Sequence, residues 1–404
     1  MIKNIKPVKI KQPHFIWPPK DKEISKKVYT YLMNYQNGKI GLPDSIENLE
    51  AEFCKFNHSK YALALSSGTA ALHIAYLAIG LRKGDEVIIS DYTFPATLIP
   101  LFLLNVVPVL CDVDKYDANI DPECIEKLIT NKTKAIVVTH WWGQPCNMKK
   151  ILKICKKYKL KLIEDCAHAP GAKFSKKNVG SFGDFGCFSF DNNKLLASGE
   201  GGMLTTNNYN LYQKAILYSD FGPRLYSSIT LKKLKNFIQT GIGTKYRIHF
   251  LAAKIASLKL KNIHKLNSQR KKLHDYFNSK LKNSKIFITP RDVKGFKRGG
   301  FYGYKVLAIS DRIKINDLIK LLVSKNIDAR KTQTPPLHLT DTFKLLNDKK
   351  NYFNLCKIKK GNLKNSKWFH ENHISFPTFY DSKHKKIIDE YCRVIYEIES
   401  ELKI

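Results

Sequence analysis

The chain has 404 residues, 43% of them hydrophobic and 11% aromatic, which is enough for one large domain and a smaller one with a sizeable core. Its formal charge of +34 is spread along the whole sequence (KNIKPVKIK, KICKKYKLK, KLKLKNIHK) with no zinc-finger, RRM-type or KH-type signature, which argues against a dedicated nucleic-acid face. The longest apolar run, Thr97 to Cys111, is broken by Pro100, Asn105 and Pro108, the start lacks the apolar block of a secretory signal, and nine cysteines without a CxxC pair read as reduced core thiols; a cytoplasmic protein with no membrane span and no metal is expected.

In chain order, the first fifty residues, rich in proline and aromatics, read as a leader that packs on the large domain or on a partner subunit. Between residues 60 and 205 short β-branched runs alternate with helical patterns, the rhythm of a βαβ sheet covered on both faces. KYALALSS ends in Ser-Gly-Thr and opens the helix TAALHIAYLAIGL; DEVIISD is a strand, TLIPLFLLN a helix and VVPVLCDVD a strand. IDPECIEKLI is a helix with Asp121 as its cap and Pro122 in its first turn. The strand KAIVVTHWW, the amphipathic helix NMKKILKICKKYK and the strands LKLIEDCAH, DFGCFSF and GGMLTTN complete an α/β block. One long helix pattern from Leu251 to Leu281 joins this block to an α+β remainder. The expected division is therefore a leader over 1–50, a large domain over 51–250, and the linking helix with a small domain over 251–404.

Ligands of open α/β sheets bind beyond the carboxyl ends of the strands, and three strand ends here carry chemistry. Ser67-Gly68-Thr69 precedes a helix, where free N–H groups, a glycine and a hydroxyl suit a phosphate, or simply cap the helix. Asp165 ends KLIED; a carboxylate there is costly unless it meets a cation or several donors, and a protonated pyridine nitrogen would be one such partner, a turn or cap another. Lys194, in FSFDNNKLLASGEGG, stands between an apolar strand and a glycine-rich turn. In a drier pocket its neutral amine could form a Schiff base, although most lysines of such a chain are solvated surface groups. Phosphate anchor, then acid, then lysine about thirty residues later is the order that holds pyridoxal phosphate (PLP) at its phosphate, ring nitrogen and aldehyde.

SSGTAALHIAYLAIGLRKGDEVIISDYTFPAT, TKAIVVTHWWGQPCNM, LIEDCAHAPGA, VGSFGDFGCFSFDNNKLLASGEGG and YRIHFLAAKIASLKL resemble the DegT/DnrJ/StrS aminotransferases, a branch of the fold type I PLP enzymes. The likeness runs from about Trp17 to the C-terminus, where IDARKTQTPPLHLTDTF and ISFPTFY also fit. It implies a large domain built on a mostly parallel seven-stranded sheet. It makes Lys194 the Schiff-base lysine and proton shuttle and pairs Asp165 with the pyridinium. The phosphate would fall to Gly68, Thr69 and Ser189, with Phe94 stacked on the ring and His168, where many members carry Gln, beside the ring hydroxyl. Where relatives have Asn-Tyr-Arg in a segment that reaches the neighbouring subunit's phosphate site, this chain has Lys245-Tyr246-Arg247. Lys245 would still donate to phosphate, Arg247 would meet a substrate or donor carboxylate, His140 is a further substrate candidate, and a homodimer with shared sites is implied.

The implied reaction moves an amino group from glutamate, or glutamine, to a keto-sugar, most often a nucleotide-linked 4-keto-6-deoxyhexose. GDFGCFSFDNNKLLASGEGG and the WPP near the start are also similar to the branch acting on keto-cyclitols such as scyllo-inosose and to the aminohydroxybenzoate synthases. The sugar 3-dehydratases of this fold carry histidine in place of the lysine, so Lys194 disfavours them. The non-enzyme alternative is a PLP-free regulatory or nucleic-acid-binding protein.

Overall fold

The short apolar runs between Tyr61 and Thr206 each form a strand: β1 (Tyr61–Leu65), β2 (Glu86–Ser90), β3 (Val107–Cys111), β4 (Thr133–Thr139), β5 (Lys161–Asp165), β6 (Phe185–Ser189) and β7 (Gly202–Thr206). The computed structural model from which they are read describes residues 5–10, 21–35, 42–348 and 355–404; Trp17 and the WPP stretch lie outside the described residues. The strands stand in the order β1-β7-β6-β5-β4-β2-β3, parallel throughout except for β7, which runs against both neighbours. An eighth strand, Lys359–Lys360, joins the outer edge of β3 in parallel, so the sheet has eight strands and not seven. That strand is two exposed lysines long, and nothing in its residue types marks it as β structure.

Both faces of the sheet are buried, which is why its strands read as near-continuous apolar runs. Leu63 and Leu65 of β1 point into a core shared with the helices Gly68–Ala78 and Tyr209–Ser219, while Ala62 and Ala64 face a second core under the helices Asp44–Asn57 and Phe250–Leu260. The helices start where the sequence places their caps. Ser67 Oγ accepts from the Ala70 N–H at 3.0 Å, and Asp121 Oδ1 accepts from the Glu123 N–H at 3.0 Å with Pro122 at the first position.

The connection after Arg247 is two helices, Phe250–Leu260 and Ile263–Leu281, with a break at Lys261 and Asn262 in place of the single helix expected. The halves bury different surfaces. Ala252, Ala253 and Ala256 pack into the sheet's core, whereas Leu273, Phe277 and Leu281 pack on the C-terminal sheet of Phe287–Ile288, Tyr304–Ala308 and His373–Phe376. The leader also divides its contacts. Ile5 and Val8 are buried in the C-terminal core, with the Val8 N–H donating to Lys325 O at 2.9 Å, while Tyr35 stacks on Phe250 at 4.2 Å.

Candidate active site

Lys194, Asp165, Gly68 and Ser189 all lie at or just beyond the carboxyl ends of parallel strands, on one rim of the sheet. Asp165 ends β5 buried; its Oδ2 accepts from Thr97 Oγ1 at 2.8 Å and its Oδ1 from the Ala167 N–H at 3.0 Å. Burial pushes its carboxyl above the usual range, against the pull of those two donors and of the positive charge of Lys194. Lys194 sits in a turn in which its N–H donates to Asp191 O at 2.9 Å. Burial holds its amine below the ordinary value of 10.5, and the fields of Asp165 and Asp191 offset only part of that.

A wall of rings closes the pocket beside the amine. Lys194 Nζ lies 4.5 Å from the centre of the Tyr302 ring, which stacks on His168 at 4.0 Å and 9°. His168 in turn lies 4.8 Å from Trp141. Burial, with Lys194 and Lys305 adding to it, drives the His168 pKa well below 6.5, so the ring is neutral, and its buried Nδ1 has no hydrogen-bond partner among the described residues. Tyr302 arrives from the C-terminal half on a glycine-rich loop: the Gly299 N–H donates to Gly143 O at 3.1 Å, and a Cβ on Gly300, at φ +68°, would sit 2.0 Å from His168 O.

At the opposite end of the pocket the N–H groups of Gly68 and Thr69 precede the first intrahelical hydrogen bonds of their helix. Gly68 and Gly202 keep this corner open to backbone approach, since a Cβ on Gly202 would meet Ser67 O at 2.4 Å and one on Gly68 would meet Ser189 Cβ at 2.9 Å. Phe94, at the start of the turn that carries Thr97, is 52% exposed, an aromatic face left uncovered at the mouth of the site.

Lys245 and Arg247 lie on a strip that runs along the end of β1, where the Ser66 N–H donates to Tyr246 O at 2.6 Å and Arg247 bridges to Leu65. Lys245 is exposed, its Nζ 5.6 Å from the Phe221 ring, and Arg247 stands 4.0 Å from Asp220.

His140 is a correction. Its Nδ1 accepts from the Cys146 N–H at 3.0 Å, so the proton sits on Nε2, which donates to Glu164 Oε2 at 3.0 Å. Both nitrogens are committed to the fold, the ring is fully buried, and no polar atom remains to meet a substrate. His140, Glu164 and Cys166 offer atoms within 4.8 Å of one another, as a metal site would. The Glu164 oxygens, however, already accept from the N–H groups of Gly180, Phe182 and Gly183 at 2.7–2.8 Å besides His140, and burial keeps the Cys166 thiol protonated. Thr97 and Tyr302 are site residues that the sequence reading missed. Thr97 stood inside the quoted stretch ending in YTFPAT, three residues after Phe94.

The family model of the DegT/DnrJ/EryC1/StrS aminotransferases matches residues 20–392. The chain belongs to this family. This aminotransferase is 35% identical over 236 residues to GDP-perosamine synthase of Escherichia coli O157:H7, which spans 58% of this chain and 63% of that one. It is 36% identical over 207 residues, 51% of this chain and 50% of the other, to a Micromonospora echinospora protein provisionally named L-glutamine:3-amino-2,3-dideoxy-scyllo-inosose aminotransferase. An aminotransferase structure from Psychrobacter cryohalolentis matches with a TM-score of 0.83 at 26% identity, over 96% of this chain and 99% of that one. The family is PLP-dependent. The residues present fit that cofactor: a glycine-lined helix start suits its phosphate, a buried carboxylate its ring nitrogen, and the unpartnered Nδ1 of His168 a ring hydroxyl. No helix among the described residues is long and apolar enough to cross a membrane.

Proposed function

We propose that this aminotransferase moves an amino group from glutamate, or glutamine, to a keto-sugar, a nucleotide-linked 4-keto-6-deoxyhexose in the first instance, with Lys194 as the reactive amine. The observation that carries this reading is the amine itself, desolvated at the rim of the sheet between the carboxylate of Asp165 and the ring of Tyr302. The similarity to GDP-perosamine synthase supports the sugar-nucleotide substrate.

Bound in this pocket, PLP supplies an electron sink for the carbon that bears the amino group. Lys194, with its ammonium form destabilised, offers a neutral amine near neutral pH and moves a proton to and from that carbon as general base and acid. Asp165, steadied by Thr97 and Ala167, holds the ring nitrogen protonated through its negative charge. His168 meets the ring hydroxyl with Nδ1, Gly68, Thr69 and Ser189 hold the phosphate, and Phe94 covers the outer ring face. Lys245 and Arg247 serve the phosphate and carboxylate ends of a site completed by a second copy. The exposed Phe221, Tyr226, Phe237 and Ile242 around them form the kind of apolar surface a homodimer covers.

A second reading, amination of a keto-cyclitol, is favoured by the 36% identity to the Micromonospora protein. PLP-loaded enzyme given glutamate or glutamine and then a panel of keto-sugar nucleotides and scyllo-inosose distinguishes the two by which acceptor is aminated. Borohydride reduction followed by mass spectrometry should place a pyridoxyl group on Lys194. Lys194→Arg should lose that label and at least about a thousandfold in turnover. A label elsewhere, or turnover surviving in the variant, would reject the assignment.

A further inference from the structure

One cavity away from the cofactor pocket gathers three basic side chains around a single acid. It lies between the rings of Tyr116, Trp142 and Phe369 and the side chains of Arg291, Arg298 and Lys305, with about 390 Å³ of space counting its mouth. Among the described residues no carboxylate comes within ion-pair distance of any of the three cations. This is unlike Arg224, which donates to both oxygens of Glu50 at 2.9 and 3.0 Å. Asp117 and Asp292 act on Arg298 only from beyond ion-pair distance, and burial with Arg330 lowers the Lys305 amine to about 7, so Arg291 and Arg298 carry the lasting charge. The direct contacts of Arg291 and Lys305 are neutral. Arg291 stacks on the Tyr116 ring at 3.2 Å, and Lys305 lies 5.3 Å from the Trp142 ring and donates to Ser375 Oγ. The one acid in the lining, Asp117, is a weak counterion, since burial and its neighbour Asp114 push its carboxyl up to about 7. Cations gathered in a partly desolvated space repel one another unless an anion sits among them.

We propose that this cavity is a second anion site, distinct from the cradle at Gly68, that takes a compact oxyanion of the phosphate or carboxylate class against Arg291, Arg298 and Lys305. Basic side chains converging on one small space match the several oxygens of inorganic phosphate or of a small dicarboxylate. Its place ties it to the chemistry. Arg298 directly precedes the Gly299–Tyr302 loop that brings Tyr302 against His168 and Lys194, and Trp142 precedes Gly143, whose carbonyl anchors that loop. An anion held there fixes the loop from behind and keeps the ring wall in place.

The test uses the full-length, PLP-loaded protein, so that the cofactor cradle is filled, titrated calorimetrically with inorganic phosphate and, separately, with 2-oxoglutarate. Wild type should give a saturable one-site isotherm with at least one of them. Which one binds identifies the source of the oxyanion. Arg298→Gln and Arg291→Gln should each weaken binding about tenfold or more, the loss expected for one charge-assisted hydrogen bond. Arg291 is exposed, so Arg291→Gln keeps the fold even if Arg298→Gln does not. A non-saturating response to both ligands, or an affinity unchanged in Arg291→Gln, overturns the site. The readout is binding rather than amino transfer, so the result stands apart from the choice of sugar substrate.

Discussion

Glu164 and Asp165 are neighbours on one strand, both buried and both carboxylates, yet they face opposite sides of the sheet and do opposite work. Glu164 accepts four hydrogen bonds, three from the backbone of the Gly180–Gly183 turn and one from His140, and so fastens that turn and the start of the Trp141 loop to the sheet. Asp165 accepts from Thr97 and Ala167 and looks into the pocket that holds Lys194. A carboxylate whose lone pairs are filled by the fold is structural, and one that keeps capacity under a raised pKa is available to a ligand.

Breaking each acid in turn sharpens the contrast. Asp165→Asn keeps the shape and the Thr97 contact but removes the charge, and should lower kcat/KM by roughly a hundredfold to a thousandfold, the scale of losing one group aimed at the reacting charge. Its urea midpoint should stay close to wild type. Glu164→Gln should do the reverse. With one acceptor oxygen for four donors it should cost about 3 kcal/mol of stability in urea titrations, while the molecules that remain folded keep a turnover near wild type. Equal effects of the two variants on both measurements would erase the distinction.

The strands were legible, and Gly68, Asp165 and Lys194 could be singled out at their ends, because each signal is local. An apolar run ending in Ser-Gly-Thr, in acid, or before a glycine turn announces its own rim of the sheet without knowledge of the rest of the chain. Tyr302 was not, because it is brought over a hundred residues along the chain to His168 by the close fit of Gly299 and Gly300 against Gly143 and His168, and no residue pattern records that approach. His140 was offered as a substrate candidate, and nothing beside it in the sequence tells that its ring is engaged. Only the register that sets its ring against Glu164 shows both nitrogens already engaged. The bend at Lys261 and Asn262 was hidden for a related reason, since helical periodicity does not say which partner each turn will meet.

His168 takes the comparison to a smaller scale, because it too is a buried polar group with unused capacity. His168→Phe keeps the stack on Tyr302 and removes the orphaned Nδ1. PLP affinity measured by equilibrium dialysis should fall about tenfold, one hydrogen bond's worth, and the cofactor-free protein should be no less stable. A loss of stability without a loss of affinity would make His168 a core residue.

Lys194 gives the smallest effect and the one whose sign is most specific. Its folded pKa lies below 10.5 because burial disfavours the ammonium. Below the folded value the amine is protonated in both folded and unfolded chains, so the buried charge is a constant cost to the cofactor-free protein. As pH rises from the folded value toward 10.5, the folded chain releases its proton first, and the cost shrinks. Lys194→Met should therefore stabilise the cofactor-free protein most at neutral pH, with the advantage fading as the solution becomes alkaline. The rate at which wild type takes up PLP should rise over the same range as the neutral amine accumulates. A stability difference that stays flat with pH, or grows toward alkaline pH, would mean that the amine is solvated like the lysines around it and that the contrast between fold-filled and ligand-ready groups does not extend to it.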